Sequence, residues 1–369
     1  MSVILFYSPF NQRSRDTETL MIGFRRQGHK VISLSQQEGF VIHDLLRAHD
    51  IETYSYVLPG RRSGWWYYRR HLVYFIRFCW KHKVEIVYSH LEPANFVASI
   101  GQYFIRAKTY LCRHHIDEGQ LYRFDKKLYY RLTYRLARHI IVVSDHARRY
   151  MIEREGIPAH KIRHIDLAYD FALYGMPDVE KAKEIRNATP ARVLLLSACR
   201  LTEYKRPALA IHTLDRLCRE GIDTRLIILG KGEQYDRLQA LVGELGLQDR
   251  VTMPGYVSNV LDYMTAADFF LHPSILDSSC VAVKEAGLAR LPVIVCRGVG
   301  DFDDYLVHGQ NGFSVDMDNF VEEAAGIIRQ NFEDQDYRSR LGENLRKTIL
   351  DLFDVKNILG QYAQLNKTR

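Results

Sequence analysis

Two carboxylates, Asp277 and Glu285, stand eight residues apart in the stretch HPSILDSSCVAVKEAGLARLPVIV, residues 272–295. The run ADFFLHPS reads as a buried strand, and VAVKEAGLAR reads as a helix that ends before Pro292. Asp277 then lies in the strand-to-helix loop and Glu285 in the early turns of the helix. Backbone N–H groups at a helix N-terminus favour phosphate. A carboxylate in the loop, with another one or two turns into the helix, can accept hydrogen bonds from hydroxyls on either side of that phosphate. Hydroxyl, phosphate, hydroxyl is the order of groups in a nucleotide sugar. A solvated helix acid and an N-capping Asp satisfy the same spacing, so spacing alone leaves both readings open.

Two further stretches carry unusual side chains. In ACRLTEYKRP, Arg200 and Lys205 follow a strand-like run. Two cations there suit a diphosphate leaving group, although on their own an Arg and a Lys five apart are most often surface charge. In PGRRSGWWYYRRHLVYFIRFCWKHK, residues 59–83, a helix starting near Trp65 is predicted. Its core face is read as Leu72, Val73, Ile76, Cys79 and Trp80. Arg70, Arg77 and Lys81 form a stripe beside that face, with Tyr67, Tyr74 and Phe78 next to the stripe and away from the core. Basic residues beside outward aromatics suit a membrane headgroup interface or single-stranded nucleic acid; an ordinary surface helix is the third reading.

The elements that must position these residues follow a βαβ rhythm. Strand-like runs such as SVILFYS, HKVISLS, VEIVYSH, TYLCRHH and HIIVVSD alternate with amphipathic stretches. A polar segment, GMPDVEKAKEIRNATPA, interrupts the rhythm, which restarts with RVLLLSACR and TRLIILG. An α/β fold of two doubly wound parallel-sheet domains is expected. Its boundaries are placed at 1–175 and 176–345, with a C-terminal helix, 346–369, crossing back to the first domain. At 369 residues the chain exceeds one ordinary core. The absence of G-x-G-x-x-G after the first strand disfavours a nicotinamide dehydrogenase. The six cysteines have no C-x-x-C spacing, which predicts free thiols in a reducing cytoplasm. Neither a signal peptide nor a membrane span is legible. Charge is uneven: residues 1–175 hold 27 Lys/Arg against 16 Asp/Glu, whereas the rest holds 24 against 28. The first domain is therefore expected to face something anionic.

Taken in order, several pieces resemble the nucleotide-binding domain of retaining glycosyltransferases of the GT-B fold, family 4. The family carries two Glu with seven residues between them before a Pro-Val-Ile strand; here Asp277 and Glu285 precede LPVIV, and Asp shortens the first reach by one methylene. The resemblance implies that Asp277 contacts hydroxyls of the donor sugar and Glu285 those of the ribose. It places Arg200 and Lys205 on the diphosphate and Gly230 at a Gly-x-Gly strand end. Gly255, Tyr256 and Val257 fall in the loop that holds the base, and Ser278, Ser279, Cys280 and Val281 at the helix entry. GVGDFDDYLVHGQNGF resembles the family's Gly-Gly-x-x-Glu loop, with Gly300-Asp301 and Asp304 in those places. Arg290 stands where the family usually has a turn Gly. In the first half, FNQRSRDTETLMIGFRRQGHKVISL resembles the acceptor loop and first helix, which implies acceptor contacts from Gln12, Arg13, Ser14, Arg15 and Asp16. TYLCRHHIDEG resembles the strand whose terminal His faces the donor sugar, His114 or, in the other register, His115.

The resemblance implies transfer of a hexose or related sugar, with retention, from a nucleotide-diphosphate sugar to a lipid-linked or surface-polysaccharide acceptor. No cofactor or metal is expected, and no nucleic acid. The location implied is cytoplasmic and peripheral to the inner face of a membrane. The catalytic set is His114 or His115, Asp277, Arg200 and Lys205; the anionic-surface set is Arg70, Tyr74, Arg77 and Lys81. The rival readings are a sugar-nucleotide epimerase or phosphorylase on the same fold, and a non-catalytic binder of anionic surfaces or nucleic acid.

Overall fold

The computed structural model describes residues 1–9, 15–38, 41–59, 64–114, 127–174 and 176–367. The chain divides into two compact units, Met1–Phe171 with Phe353–Arg369, and Ala172–Leu352.

In the first unit seven parallel strands form one sheet: β1 (Val3–Ser8), β2 (Lys30–Ser35), β3 (Glu52–Ser55), β4 (Ile86–His90), β5 (Lys108–Arg113), β6 (His139–Val142) and β7 (Ile162–His164). Their spatial order is β3-β2-β1-β4-β5-β6-β7. The connecting helices include α1 (Arg15–Arg26), α2 (Val41–Arg47), α3 (Trp65–Lys81), α4 (Ala94–Gly101), α5 (Lys127–Leu136) and α6 (Asp145–Glu153). Alternate residues of β1 serve opposite faces. Leu5 and Tyr7 join the core that contains Phe75 and Phe78 of α3, whereas Ile4 and Phe6 join the core that contains Phe24 of α1. Burial on both sides explains the unbroken apolar run VILFY. The strand order reverses between β1 and β4, so the carboxyl ends of those two strands bound the crevice in which such sheets take ligands. Sequence pattern missed β3, because this half-exposed edge strand is polar; its Glu52 pairs with Lys30 of β2 at 2.7 Å.

The second unit holds β8 (Val193–Ala198), β9 (Thr224–Leu229), β10 (Val251–Gly255), β11 (Phe269–His272), β12 (Val293–Cys296) and β13 (Phe313–Val315), in the order β10-β9-β8-β11-β12-β13, all parallel. Its helices are α7 (Val179–Ala188), α8 (Ala208–Arg219), α9 (Tyr235–Glu244), α10 (Val260–Ala266), α11 (Val281–Leu288), the single turn α12 (Phe302–Tyr305), α13 (Phe320–Asn331) and α14 (Gln335–Phe353). Here the order reverses between β8 and β11.

The final helical stretch is two helices, not one. After α14 the chain forms a parallel bridge between Asp354 and Tyr169, and Asp354 then caps α15 (Val355–Lys367) by accepting from the Lys356 N–H at 2.9 Å. Ile358, Leu359 and Tyr362 of α15 are buried in the core behind α1. The unit boundary falls after Leu352, later than the sequence reading put it, because Leu345 and Ile349 of α14 pack against Gly287 of α11. Arg290, in place of a turn Gly, adopts φ 57°, and its guanidinium pairs with Glu343 of α14.

The predicted span of α3 agrees with the structure, but its predicted faces do not. Tyr67, His71, Phe75, Phe78 and Cys79 are buried, whereas Val73 is 42% and Trp80 63% exposed. The core face is rotated by about one residue, or roughly 100°. Phe75 and Phe78 fill the space over the sheet, and the Tyr67 hydroxyl donates to Gln36 Oε1 at 3.2 Å inside it. Tyr67 and Phe78 are therefore not outward aromatics. All six cysteines are free, and no described helix is long and apolar enough to cross a membrane.

Candidate functional site

The two strands that flank the reversal point of the second sheet both end in charged groups. β8 runs into a single 3-10 turn, Glu203–Lys205. Lys205 is buried and places Nζ 2.6 Å from each carboxylate oxygen of Asp277. Asp277 Oδ2 also accepts from Nε2 of His272, the last residue of β11, at 2.7 Å. The structure thus joins Lys205 and Asp277 to each other, where the sequence reading gave them separate groups of one ligand. Burial alone would raise the Asp277 carboxyl; the His272 hydrogen bond and the charges of His272 and Lys205 outweigh it and hold the group well below the usual carboxylate range. Burial would likewise lower His272, but the Cys280 sulfur and Asp277 raise it to about 9. Lys205 and His272 thus both donate to the Asp277 carboxylate.

Arg200 stands differently. It is exposed, and its guanidinium donates to the Tyr204 hydroxyl at 2.7 Å. Of the two cations assigned to the diphosphate, it is the one that no described carboxylate holds. Beside it, the end of β9 runs against the end of β8: Leu201 N–H donates to Lys231 O at 3.0 Å. Gly230 makes this approach possible, with φ 129° and space so tight that a Cβ would lie 1.9 Å from the Cys199 carbonyl oxygen. Gly255 follows at φ 83°, with Val257 half-buried and Tyr256 71% exposed.

Cys280 caps the start of α11, and its Sγ lies 3.5 Å from His272 Nε2. Ligand atoms of His272, Asp277 and Cys280 lie within 4.8 Å of one another, so these three residues have the spacing to hold a metal ion. The sequence reading found no useful ligand spacing, because a loop rather than a regular element brings the three atoms together. Ser278, Ser279 and Val281 are half-buried at the helix entry, and Glu285 is buried one turn on.

One feature of the site was missed altogether. Lys284, 1% exposed, pairs with the fully buried Asp301 and donates to Ser279 Oγ at 3.0 Å; Ser279 in turn donates to Asp301 Oδ2 at 2.6 Å. Both charges are visible in the sequence. Asp301 takes the second Gly position of its loop and Lys284 directly precedes Glu285, but a pairing across 17 residues carries no local pattern.

In the first unit, the carboxyl ends of β4 and β5 bring His90 to His114, Nδ1 to Nε2 at 2.8 Å, and Asp16 of α1 lies 3.7 Å from the other His114 nitrogen. Burial lowers both imidazoles, so the pair is neutral near pH 7. A proton on His114 Nδ1 faces the Asp16 carboxylate and leaves Nε2 to accept from His90, the tautomer that all three groups favour. His90 was not foreseen. His115, Gln12, Arg13 and Ser14 lie outside the described residues; Arg15 opens α1. Arg70, Arg77 and Lys81 are exposed on α3, with Tyr74 half-buried beside them.

The family profile for glycosyltransferase family 4 matches residues 14–172, and that for glycosyl transferases group 1 matches residues 178–348. The chain is 24% identical over 206 residues to N-acetyl-alpha-D-glucosaminyl L-malate synthase of Bacillus anthracis, covering 55% of this chain and 53% of that one. It is 29% identical over 178 residues to the lipopolysaccharide core biosynthesis glycosyltransferase LpsE of Rhizobium meliloti, covering 48% and 51%. The chain thus spans about half the length of these curated relatives. Among solved structures, Anabaena HepE in complex with UDP superposes with a TM-score of 0.85 at 19% identity, covering 99% of this chain and 100% of that one; HepE has also been solved with UDP-glucose. With one profile on each unit and the GT-B architecture throughout, the chain belongs to the family 4, group 1 glycosyltransferases.

Proposed function

We propose that this protein transfers a hexose or related sugar, with retention, from a nucleotide-diphosphate sugar to a lipid-linked or surface-polysaccharide acceptor. The single observation that carries the reading is the exposed Arg200 beside the buried Lys205–Asp277–His272 cluster, at the reversal point of a parallel sheet. There the cations and the N-terminus of α11 stabilise charge as it develops on the leaving diphosphate. Glu285 accepts from the ribose hydroxyls. The bond from the anomeric carbon to the phosphate oxygen breaks, the acceptor oxygen bonds to the same face of that carbon, and the departing phosphate takes the acceptor's proton. No metal takes part in this scheme. LpsE, a lipopolysaccharide core enzyme by name, and the UDP-glucose complex of HepE support the acceptor and donor classes. On this reading the enzyme works from the cytoplasm, at the inner face of a membrane, where an acceptor of that class is met. The test needs no acceptor: water replaces it in slow donor hydrolysis, and NMR reads the first-formed sugar. The donor's own anomer is expected first; the inverted anomer refutes retention.

A further inference from the structure

All three tryptophans of the chain, Trp65, Trp66 and Trp80, lie on α3, and they are 77%, 53% and 63% exposed. The other exposed residues of the helix interior complete one stripe: Trp66, Arg69, Arg70, Val73, Arg77 and Trp80 recur at steps of three, four and seven. The stripe is about 21 Å long, at 1.5 Å per residue. Its middle is cationic and its ends are aromatic. Lys81 adds a fourth cation at one end, and α3 contains no acidic residue. Among the described residues, no carboxylate pairs with Arg69, Arg70, Arg77 or Lys81. A surface groove of 420 Å³ opens along this stripe, walled by Trp66 and the three arginines.

One face of each ring in the groove is already used. Tyr56 and Tyr74, in the wall of the groove, stack on each other at 3.9 Å and 4°, and the Arg70 guanidinium lies 4.8 Å over the Trp66 ring. These contacts take one face of each of the three rings, which reduces the platform on which nucleic-acid bases would stack. Edges, guanidinium forks and an exposed Val73 remain. The Trp80 indole N–H is satisfied by the Phe104 carbonyl at 3.1 Å, and Phe104 is itself 57% exposed. A row of unpaired arginines between partly apolar tryptophans matches the chemistry of a bilayer interface, with phosphate at one depth and indole just below it.

We propose that the outer face of α3 docks the protein on an anionic bilayer, with Arg69, Arg70 and Arg77 holding lipid phosphates and Trp66 and Trp80 entering the headgroup layer. This rests on the reading of a membrane-borne acceptor for its purpose, but its test is independent of sugar transfer. Each cation near an anionic surface contributes roughly fivefold in partitioning, so losing three costs about a hundredfold.

Because every tryptophan is on α3, selectively excited tryptophan emission reports on this helix alone. Vesicles of 30% phosphatidylglycerol in phosphatidylcholine should blue-shift the emission, and brominated acyl chains should quench it. Pure phosphatidylcholine should do neither at physiological salt. Arg69→Gln/Arg70→Gln/Arg77→Gln, which should melt with the wild type, should lose about a hundredfold in partitioning; Trp66→Ala/Trp80→Ala should lose binding while keeping its charge. Donor titration on the same samples should be unchanged, so failure to dock and failure to bind donor are separable. Equal partitioning of wild type and arginine variant on anionic vesicles would overturn the proposal. So would a blue shift with single-stranded oligonucleotide and none with vesicles.

Discussion

Removing one half of the Lys284–Asp301 pair should be far worse than removing both. The two side chains are 1% and 0% exposed, and Ser279 bonds to each. Lys284→Met leaves the Asp301 carboxylate buried with its hydroxyl partner but without its counter-charge. Asp301→Asn leaves an ammonium facing Ser279 and the Tyr305 ring, 4.8 Å from its centre. Breaking one side of a buried ion pair costs about 3–5 kcal/mol, whereas replacing both partners by apolar groups of similar volume is often neutral. Each single variant should therefore lower the melting midpoint of the second unit by roughly 6–20 °C, at about 2–4 °C per kcal/mol for a unit of this size. Lys284→Met/Asp301→Leu should recover most of that loss. The assay is a double-mutant cycle by urea and thermal denaturation, following the transition of the second unit. The cycle should return a coupling of at least about 2 kcal/mol. Additive single effects would show that the two charges do not hold each other. A further readout separates support of the site from mere stability. The pair ties the entry of α11 to the loop before α12, so the double variant should keep its fold and still bind donor more weakly.

Arg200→Ala should cut kcat with little change in melting temperature, since the side chain is exposed, whereas Lys205→Ala should lower both, since it takes a buried cation from Asp277 and leaves that carboxylate only His272; equal thermal effects of the two would refute this division of roles. His272 supplies the pH test. Its folded value near 9 lies above the ordinary 6.5, so its contribution is complete below pH 6.5 and is lost as the pH rises through 9, up to about 3 kcal/mol. Urea midpoints across pH 6–10 should show this fall in the wild type and lack it in His272→Gln; an identical profile in both would remove His272 from the cluster.

The parallel-sheet architecture was legible because buried strands write themselves as apolar runs. VILFY, VLLLS and FFLH all proved to be strands at sheet centres. Two margins were not: ETYS at the edge of the first sheet and FSV at the edge of the second pair with neighbours that only the fold supplies. On α3, helical periodicity gave the correct span and a wrong face. With aromatics on almost every side, the pattern has no single apolar stripe, and the fit of Phe75 and Phe78 over the sheet decides the rotation. At the site, Asp277, Lys205 and Arg200 were singled out by type and spacing. That Lys205 grips Asp277 was not, because their contact spans 72 residues and two strands of one sheet. His90 and Lys284 went unnoticed for the same reason, and Asp301 was singled out only as a departure from its loop pattern.

The most direct test of the central claim is calorimetric titration of a panel of UDP-, GDP-, ADP- and dTDP-sugars into the wild type and into Glu285→Gln. The account predicts that at least one donor binds the wild type with one-to-one stoichiometry. The variant, once shown to be folded, should bind that donor about 1–3 kcal/mol more weakly, the scale of a lost charge-assisted hydrogen bond. Binding of no donor by the wild type, or equal affinity in both proteins, would contradict it.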